Sequence, residues 1–312
     1  MYFDPSYFKE EERGGFVIKP IIKRAWAAQL EVLKVIDEIC KRHNINYFAT
    51  FGTLLGAVRH QGFIPWDDDI DIGMLRKDFV RFQHYAKTEL PEAYQLLSVH
   101  TGNYDQLIAR VVNSIQISTE PTFMEQFHGC PYIVGIDIFI MDNIPLNEEE
   151  EEIQRQLISA VFSLQNTWND DEMSEKEKME HVREIETLCK MKFLDDKPMA
   201  QQLALLCDRL CAMYWDIDAQ EVTFMISLSV TSLYRIPISA FDSFVEVPFD
   251  VTTIPIPIGY DHLLTLAYGE NYMNPVHVYS HDYPFFESQQ KALHEHATEK
   301  NIILPDYLME QF

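Results

Sequence analysis

Positive charge is scarce in this chain. Its 312 residues carry 25 Lys and Arg against 49 Asp and Glu, a formal net charge of -24. Such a surface repels nucleic-acid phosphates and anionic lipid headgroups, so no nucleic-acid partner is expected. A phosphate-bearing ligand has to be held locally, by a metal ion or by a few chosen basic groups. Long apolar runs are missing as well. No stretch of 18 apolar residues occurs, and no integral membrane segment is expected. The opening "MYFDPSYFKEEERGGF" lacks the charged-then-apolar order of a signal peptide, and the expected location is cytoplasmic. Cysteine is sparse and odd in number. Cys40, Cys130, Cys189, Cys207 and Cys211 follow no paired spacing, which points to reduced structural thiols. Cys207 and Cys211 stand one helical turn apart, but no nearby Cys or His pair completes a zinc site. Repeats, low-complexity tracts and long linkers are also absent, which favours one catalytic body with an insert over separate modules.

What is present reads as an α+β protein, a mixed sheet flanked by helices. "PIIKRAWAAQLEVLKVIDEICKRHN" (20–44) spaces Ile22, Trp26, Leu30, Leu33 and Ile36 as one helical face, with Pro20 at its start. "NYFATF" predicts a strand, "TLLGAVRH" a helix, "DDDIDIG" a second strand and "RKDFVRFQHYAKTEL" another helix. "YQLLSVH", "QLIARVVNSIQIST" and "YIVGIDIFIMD" add β-rich pieces. Residues 20–146 are therefore expected to form a core and 147–219 a helical insert. Residues 220–312 complete the core, with short strands in "FVEVPFDVTTIPIPIG", a helix ended by Gly269, and a helical tail.

The most informative stretch is "FIPWDDDIDIGM" (63–74). Asp67, Asp69 and Asp71 recur at every second position, so a strand would gather their carboxylates on one face, while Asp68, Ile70 and Ile72 take the other. A row of like charges is costly unless it is solvated or neutralised by a cation, and an all-oxygen donor set suits Mg2+ or Mn2+. A charged edge strand would blunt unwanted pairing in a similar way, but the row is too concentrated for solubility alone. An EF-hand loop fails because Ile72 stands where that loop needs glycine and Asp78 where it needs glutamate. Upstream, Gly52 and Thr53 fall at a strand-to-helix junction, where backbone N–H groups and the helix dipole favour phosphate. Arg59 and His60 follow on that helix.

Together, "FGTLLGAVRHQGFIPWDDDIDIGM", "GIDIFIMDNIP" and "IPIPIGYDHLLTLAYGENYM" resemble the LicD/fukutin-related family, a branch of the nucleotidyltransferase-like superfamily. The resemblance spans about residues 25 to 280. It implies a single LicD-like domain over 1–312 with a nucleotidyltransferase-like core. Gly52 and Thr53 would contact the donor, Asp69 and Asp71 would bind divalent metal, and the family's third carboxylate falls on Asp137. The alternation of Asp137 with Ile136, Ile138 and Ile140 supports that transfer. The catalytic and metal set expected is thus Asp69, Asp71 and Asp137. The donor-binding set adds Arg59, His60, Asp67 and Arg110, with Arg110 also able simply to pair with a carboxylate. Trp66 is a candidate for stacking on a base or a choline cation.

The activity implied is transfer of a phospho-alcohol from a CDP-alcohol donor, CDP-choline being favoured over CDP-ribitol, to a hydroxyl of a cell-surface saccharide acceptor, with release of CMP. Lipid-linked acceptors would place such an enzyme at the inner membrane face. Two alternatives stay open: a non-catalytic nucleotide- or glycan-binding protein, and a nucleotidyltransferase that uses an NTP and releases pyrophosphate.

Overall fold

In the computed structural model, residues 1–102, 104–169, 173–225, 234–276 and 283–309 are described. A short hairpin, β1 (Glu11–Arg13) and β2 (Phe16–Ile18), leads into α1 (Pro20–His43). Pro20 sits at the first helical position, where its missing N–H costs nothing, and Asn44 ends the helix in the left-handed conformation. The predicted stripe Ile22, Trp26, Leu30, Leu33 and Ile36 is buried. After β3 (Phe48–Ala49) the chain enters α2 (Phe51–His60), then β4 (Ile70–Leu75) and α3 (Arg76–Glu89). Strands β5 (Gln95–Leu97) and β6 (Ala109–Val112), the short α4 (Pro121–Gln126) and β7 (Gly135–Asn143) follow.

The main sheet runs β3-β4-β7-β6-β5, and β8 (Glu221–Thr223) and β9 (Ile236–Pro237) extend it beyond the end of β7. β4 and β7 are parallel and the other pairs antiparallel, so the sheet is mixed, as expected. Ile70, Ile72, Ile136 and Ile138 are fully buried, and helices α1 and α3 pack on this part of the sheet. Alternation then turns Asp71, Asp137 and Phe139 to the opposite face. The pairing is close enough at β3 that a Cβ on Gly73 would lie 2.3 Å from the Phe48 ring, a space only glycine leaves open.

Helices α5 (Glu148–Thr167), α6 (Glu175–Leu188) and α7 (Met199–Cys211) form the helical stretch read from the sequence. They bury their own apolar cluster, which includes Ile158, Val161, Leu164, Val182, Ile185, Leu203 and Leu210. The acidic run Glu148–Glu151 fills the first turn of α5, where negative charge suits the helix dipole. Cys207 and Cys211 are buried free thiols. A buried ionic network joins these helices to the sheet. Arg76, at the start of α3, grips Asp142 of β7 through Nε and Nη2, both at 2.7 Å, and reaches Asp208 of α7 through Nη1 at 2.8 Å. His100 completes it, 2.8 Å from the other oxygen of Asp208. Burial drives the Asp142 carboxyl above its usual range despite Arg76. For Asp208 burial acts the same way, but the His100 hydrogen bond and Arg76 outweigh it and hold the carboxyl low.

The hairpin β10 (Phe244–Phe249) and β11 (Thr252–Pro257), helix α8 (Tyr260–Tyr268) and helix α9 (Glu287–Lys300) complete the described chain. No helix among the described residues is long and apolar enough to cross a membrane.

Candidate active site

The aspartate stretch is only partly a strand. β4 begins at Ile70, so Asp67, Asp68 and Asp69 lie in the loop before it. Tertiary contacts explain the shorter strand. Trp26 Nε1 donates to the Asp67 carbonyl at 3.0 Å, and the buried Gln29 donates to the Asp68 carbonyl at 2.6 Å. Those carbonyls, which a longer strand would spend on ladder hydrogen bonds, are taken by α1 instead. The three carboxylates still converge, each offering an oxygen within 4.8 Å of the others. Asp68 is fully buried, as the alternation predicted, and its Oδ2 accepts the Phe285 N–H at 2.6 Å. It nevertheless stays close to Asp67 and Asp69, because the loop does not segregate faces as a strand would.

On the sheet, Asp71 lies beside Asp137 across the parallel β4–β7 pair, and Asp137 faces Arg110 across β7–β6. The Arg110 guanidinium clamps Asp137 through Nε and through Nη2, the latter at 2.7 Å. Of the two roles that the sequence left open for Arg110, the ion pair is the one seen. Burial, then the charges of Asp69, Asp137 and Asp67, push the Asp71 carboxyl well above the usual range against the pull of Arg110. A divalent cation would relieve that repulsion. The donor set of hard carboxylate oxygens therefore fits Mg2+ or Mn2+.

Helix α2 supplies the other wall. Gly52, in its first turn, sits so close to Asp67 that a Cβ would lie 2.6 Å from Oδ2. A side chain there would displace the carboxylate. Thr53 follows Gly52 on the same helix. It is buried, and its Oγ1 accepts the Asp71 N–H at 2.8 Å, so the hydroxyl anchors the start of β4. Thr53→Val should leave that N–H without a partner and cost about 1–3 kcal/mol of stability, with Thr53→Ser retaining most of it. Chemical denaturation of the two variants checks this.

A cavity of about 820 Å³ lies over this face, lined by Gly52, Arg59, Asp67, Asp69 and Asp71 among others. Arg59 donates to the Tyr272 carbonyl at 2.8 Å, and burial lowers its pKa. His60 is not a lining residue. Its ring stands edge-on to Trp66, and burial, then Arg59 and Arg13, push its pKa down to about 4, so the imidazole is neutral at physiological pH. Trp66 does line the cavity, although it is mostly buried against Phe16 and His60. Sequence reasoning did not assign Phe51, Phe139, Tyr268, Asn271, Tyr272 and Asn274 to the site. All six line the cavity. For Phe139 a signal existed, since it stands two residues after Asp137 on the same strand face. Burial, then Asp67, Asp71 and other neighbours, raise the Tyr268 phenol, which stays protonated as a hydrogen-bond donor.

Comparison with known proteins covers part of this site. Residues 44–119 match the family model described as LicD/FKTN/FKRP, nucleotidyltransferase domain. That span holds Gly52, the aspartate loop and Arg110, and ends before Asp137, so it is narrower than the expected 25 to 280. The lipopolysaccharide cholinephosphotransferase LicD of Haemophilus influenzae is 34% identical over 124 residues, 37% of this chain and 42% of that protein. Uncharacterised proteins of Rickettsia typhi and Rickettsia prowazekii are 47% and 46% identical over 66 residues. These cover 21% of this chain and 20% and 23% of the relatives. The matched stretches thus span less than half the length of each relative.

Proposed function

Because residues 44–119 belong to the LicD/FKTN/FKRP family, we propose that the chain is a metal-dependent transferase on a nucleotidyltransferase-like core. It would move phosphocholine from CDP-choline to a hydroxyl of a cell-surface glycan and release CMP. The observation that carries this reading is the gathering of Asp67, Asp69 and Asp71 with Gly52 of α2 around a cavity large enough for a small nucleotide conjugate, with Asp137 paired beside Asp71 on the neighbouring strand. The naming of one relative as a lipopolysaccharide cholinephosphotransferase supports the choice of group and acceptor.

Asp69 and Asp71 would hold Mg2+ or Mn2+, with Asp137 completing the set. The bound ion would supply positive charge to the diphosphate and to the departing CMP. The protein's own residues do the rest. The first turn of α2 presents backbone N–H groups to a phosphate oxygen, with Gly52 allowing close approach. Arg110 brings a guanidinium whose Nη1 is not engaged by Asp137, and Arg59 adds a second positive group at the cavity. The acceptor oxygen attacks the phosphorus that bears choline, the bond to the bridging oxygen breaks towards CMP, and the hydroxyl proton passes to the carboxylate cluster.

The test incubates the protein with CDP-choline, Mg2+ and lipopolysaccharide or teichoic-acid glycans, following CMP and the mass of the glycan. CMP and phosphocholine-bearing glycan should form in equal amounts, and EDTA should stop both. Pyrophosphate released from CTP, without CMP from CDP-choline, would instead assign nucleotidyl transfer. Tight metal-free binding without any product would assign a binding protein.

A further inference from the structure

The cavity lining combines two chemistries, carboxylates with Gly52 and aromatic rings, among them Phe51, Phe139 and Tyr268. These rings are not ordinary core. Phe51 and Phe139 are only partly buried and Tyr268 is 44% exposed, whereas the neighbouring core rings Phe48 and Phe63 are almost wholly enclosed. Phe51 also holds a left-handed backbone (φ 44°), unusual for a bulky residue. That conformation stands at the first residue of α2, next to Gly52, with the Phe51 ring edge-on to Phe139 at 4.7 Å. Unfavourable backbone kept at a cavity wall is a mark of a working surface.

The covalent order of the donor decides which part of it meets these rings. In a CDP-alcohol the alcohol is esterified to the phosphate under attack, and the cytosine lies beyond the second phosphate and the ribose. The alcohol must therefore rest near the carboxylates. Phe51 adjoins Gly52, Phe139 follows Asp137 by two residues and pairs with Gly73 of β4, and Tyr268 shares the cavity with Asp67, Asp69 and Asp71. On the proposed reading of the site as a CDP-alcohol transferase, we propose that Phe51, Phe139 and Tyr268 form the subsite for the alcohol and select a quaternary ammonium over a neutral polyol. Ring faces attract a desolvated cation through their quadrupole. Against these rings a polyol would leave most of its hydroxyls unpaired, since of the three only the Tyr268 phenol offers a hydrogen bond.

The experiment measures the affinity of the full chain, with Mg2+, for CDP-choline and for its neutral isostere CDP-3,3-dimethylbutanol, in which carbon replaces the ammonium nitrogen. Wild type should prefer CDP-choline by about tenfold. Tyr268→Leu and Phe139→Leu should reduce that preference to about twofold or less, while the affinity for the isostere changes little. Circular dichroism confirms folding, and Tyr268→Leu, at an exposed position, carries the test if Phe139→Leu is unstable. Equal wild-type affinity for the two ligands overturns the subsite, as does an equal loss of both in the variants. If both ligands and CDP-ribitol fail to bind, the CDP-alcohol reading falls and the subsite with it. If CDP-choline binds without the charge preference, the subsite alone falls.

Discussion

Replacing Asp69 or Asp71 by Asn should lower turnover by about a hundredfold or more while leaving the protein folded, the size of effect expected when electrostatic stabilisation of the transferring phosphate is lost. Asp71 stands at the register position shared with Asp137, and its carboxyl is already forced upward by burial and three neighbouring carboxylates. In metal-free protein, Asp71→Asn therefore removes repulsion, and its melting temperature should equal or exceed that of wild type. Mg2+ should raise the melting temperature of wild type through linkage, and not that of the Asp69→Asn/Asp71→Asn double variant. Asp68→Asn should do the reverse. Its carboxylate accepts the Phe285 N–H inside the core, so stability should fall while Mg2+-dependent turnover per folded molecule is largely kept. Full activity in both Asp69→Asn and Asp71→Asn, with loss in Asp68→Asn alone, would reverse the assignment.

The largest stability effect is expected at Arg76. Its guanidinium neutralises two buried carboxylates on different elements, Asp142 and Asp208. Arg76→Met preserves bulk but strands Asp142 and leaves Asp208 with His100, and removing one partner of a buried ion pair typically costs about 3–5 kcal/mol. Urea denaturation should show that loss. Hydrogen exchange should rise most in α7 and in the end of β7, which the arginine joins. The triple variant Arg76→Met/Asp142→Leu/Asp208→Leu should recover much of the deficit, because well-packed apolar groups need no partner. If the triple variant is no better than the single one, lost packing and not stranded charge is the cause.

Much of this arrangement could be read in advance, for identifiable reasons. Alternating isoleucines around Asp71 and Asp137 predict one buried and one functional face, and the register of β4 and β7 sets the two aspartates side by side. Helix α1 follows from its apolar spacing and Pro20. What local pattern could not convey is long-range pairing. The strand stops short of Asp69 because Trp26 and Gln29, some forty residues away, take the loop carbonyls. A helical face reads Trp26 as packing, since periodicity carries no information about which backbone a side chain will meet. The helix-start position of Thr53 likewise gives no sign that its hydroxyl accepts the Asp71 N–H. The aromatic wall was hidden for a similar reason. Phe51, Phe139 and Tyr268 come from two helices and a strand, and only the fold gathers them.

The hydrogen bond from Phe285 to Asp68 bridges 217 positions, and that from Arg59 to Tyr272 bridges 213. During synthesis the aspartate loop emerges well before its partners: the Arg59 clasp waits for Tyr272, and the Asp68 clasp waits for Phe285, to leave the ribosome. Until then the aspartate stretch has its contacts to α1, through Trp26 and Gln29, to Thr53 of α2 and to β7. A nascent chain that has not yet released residue 285 should therefore bind Mg2+ more weakly than the folded protein, as binding to stalled chains of increasing length would show.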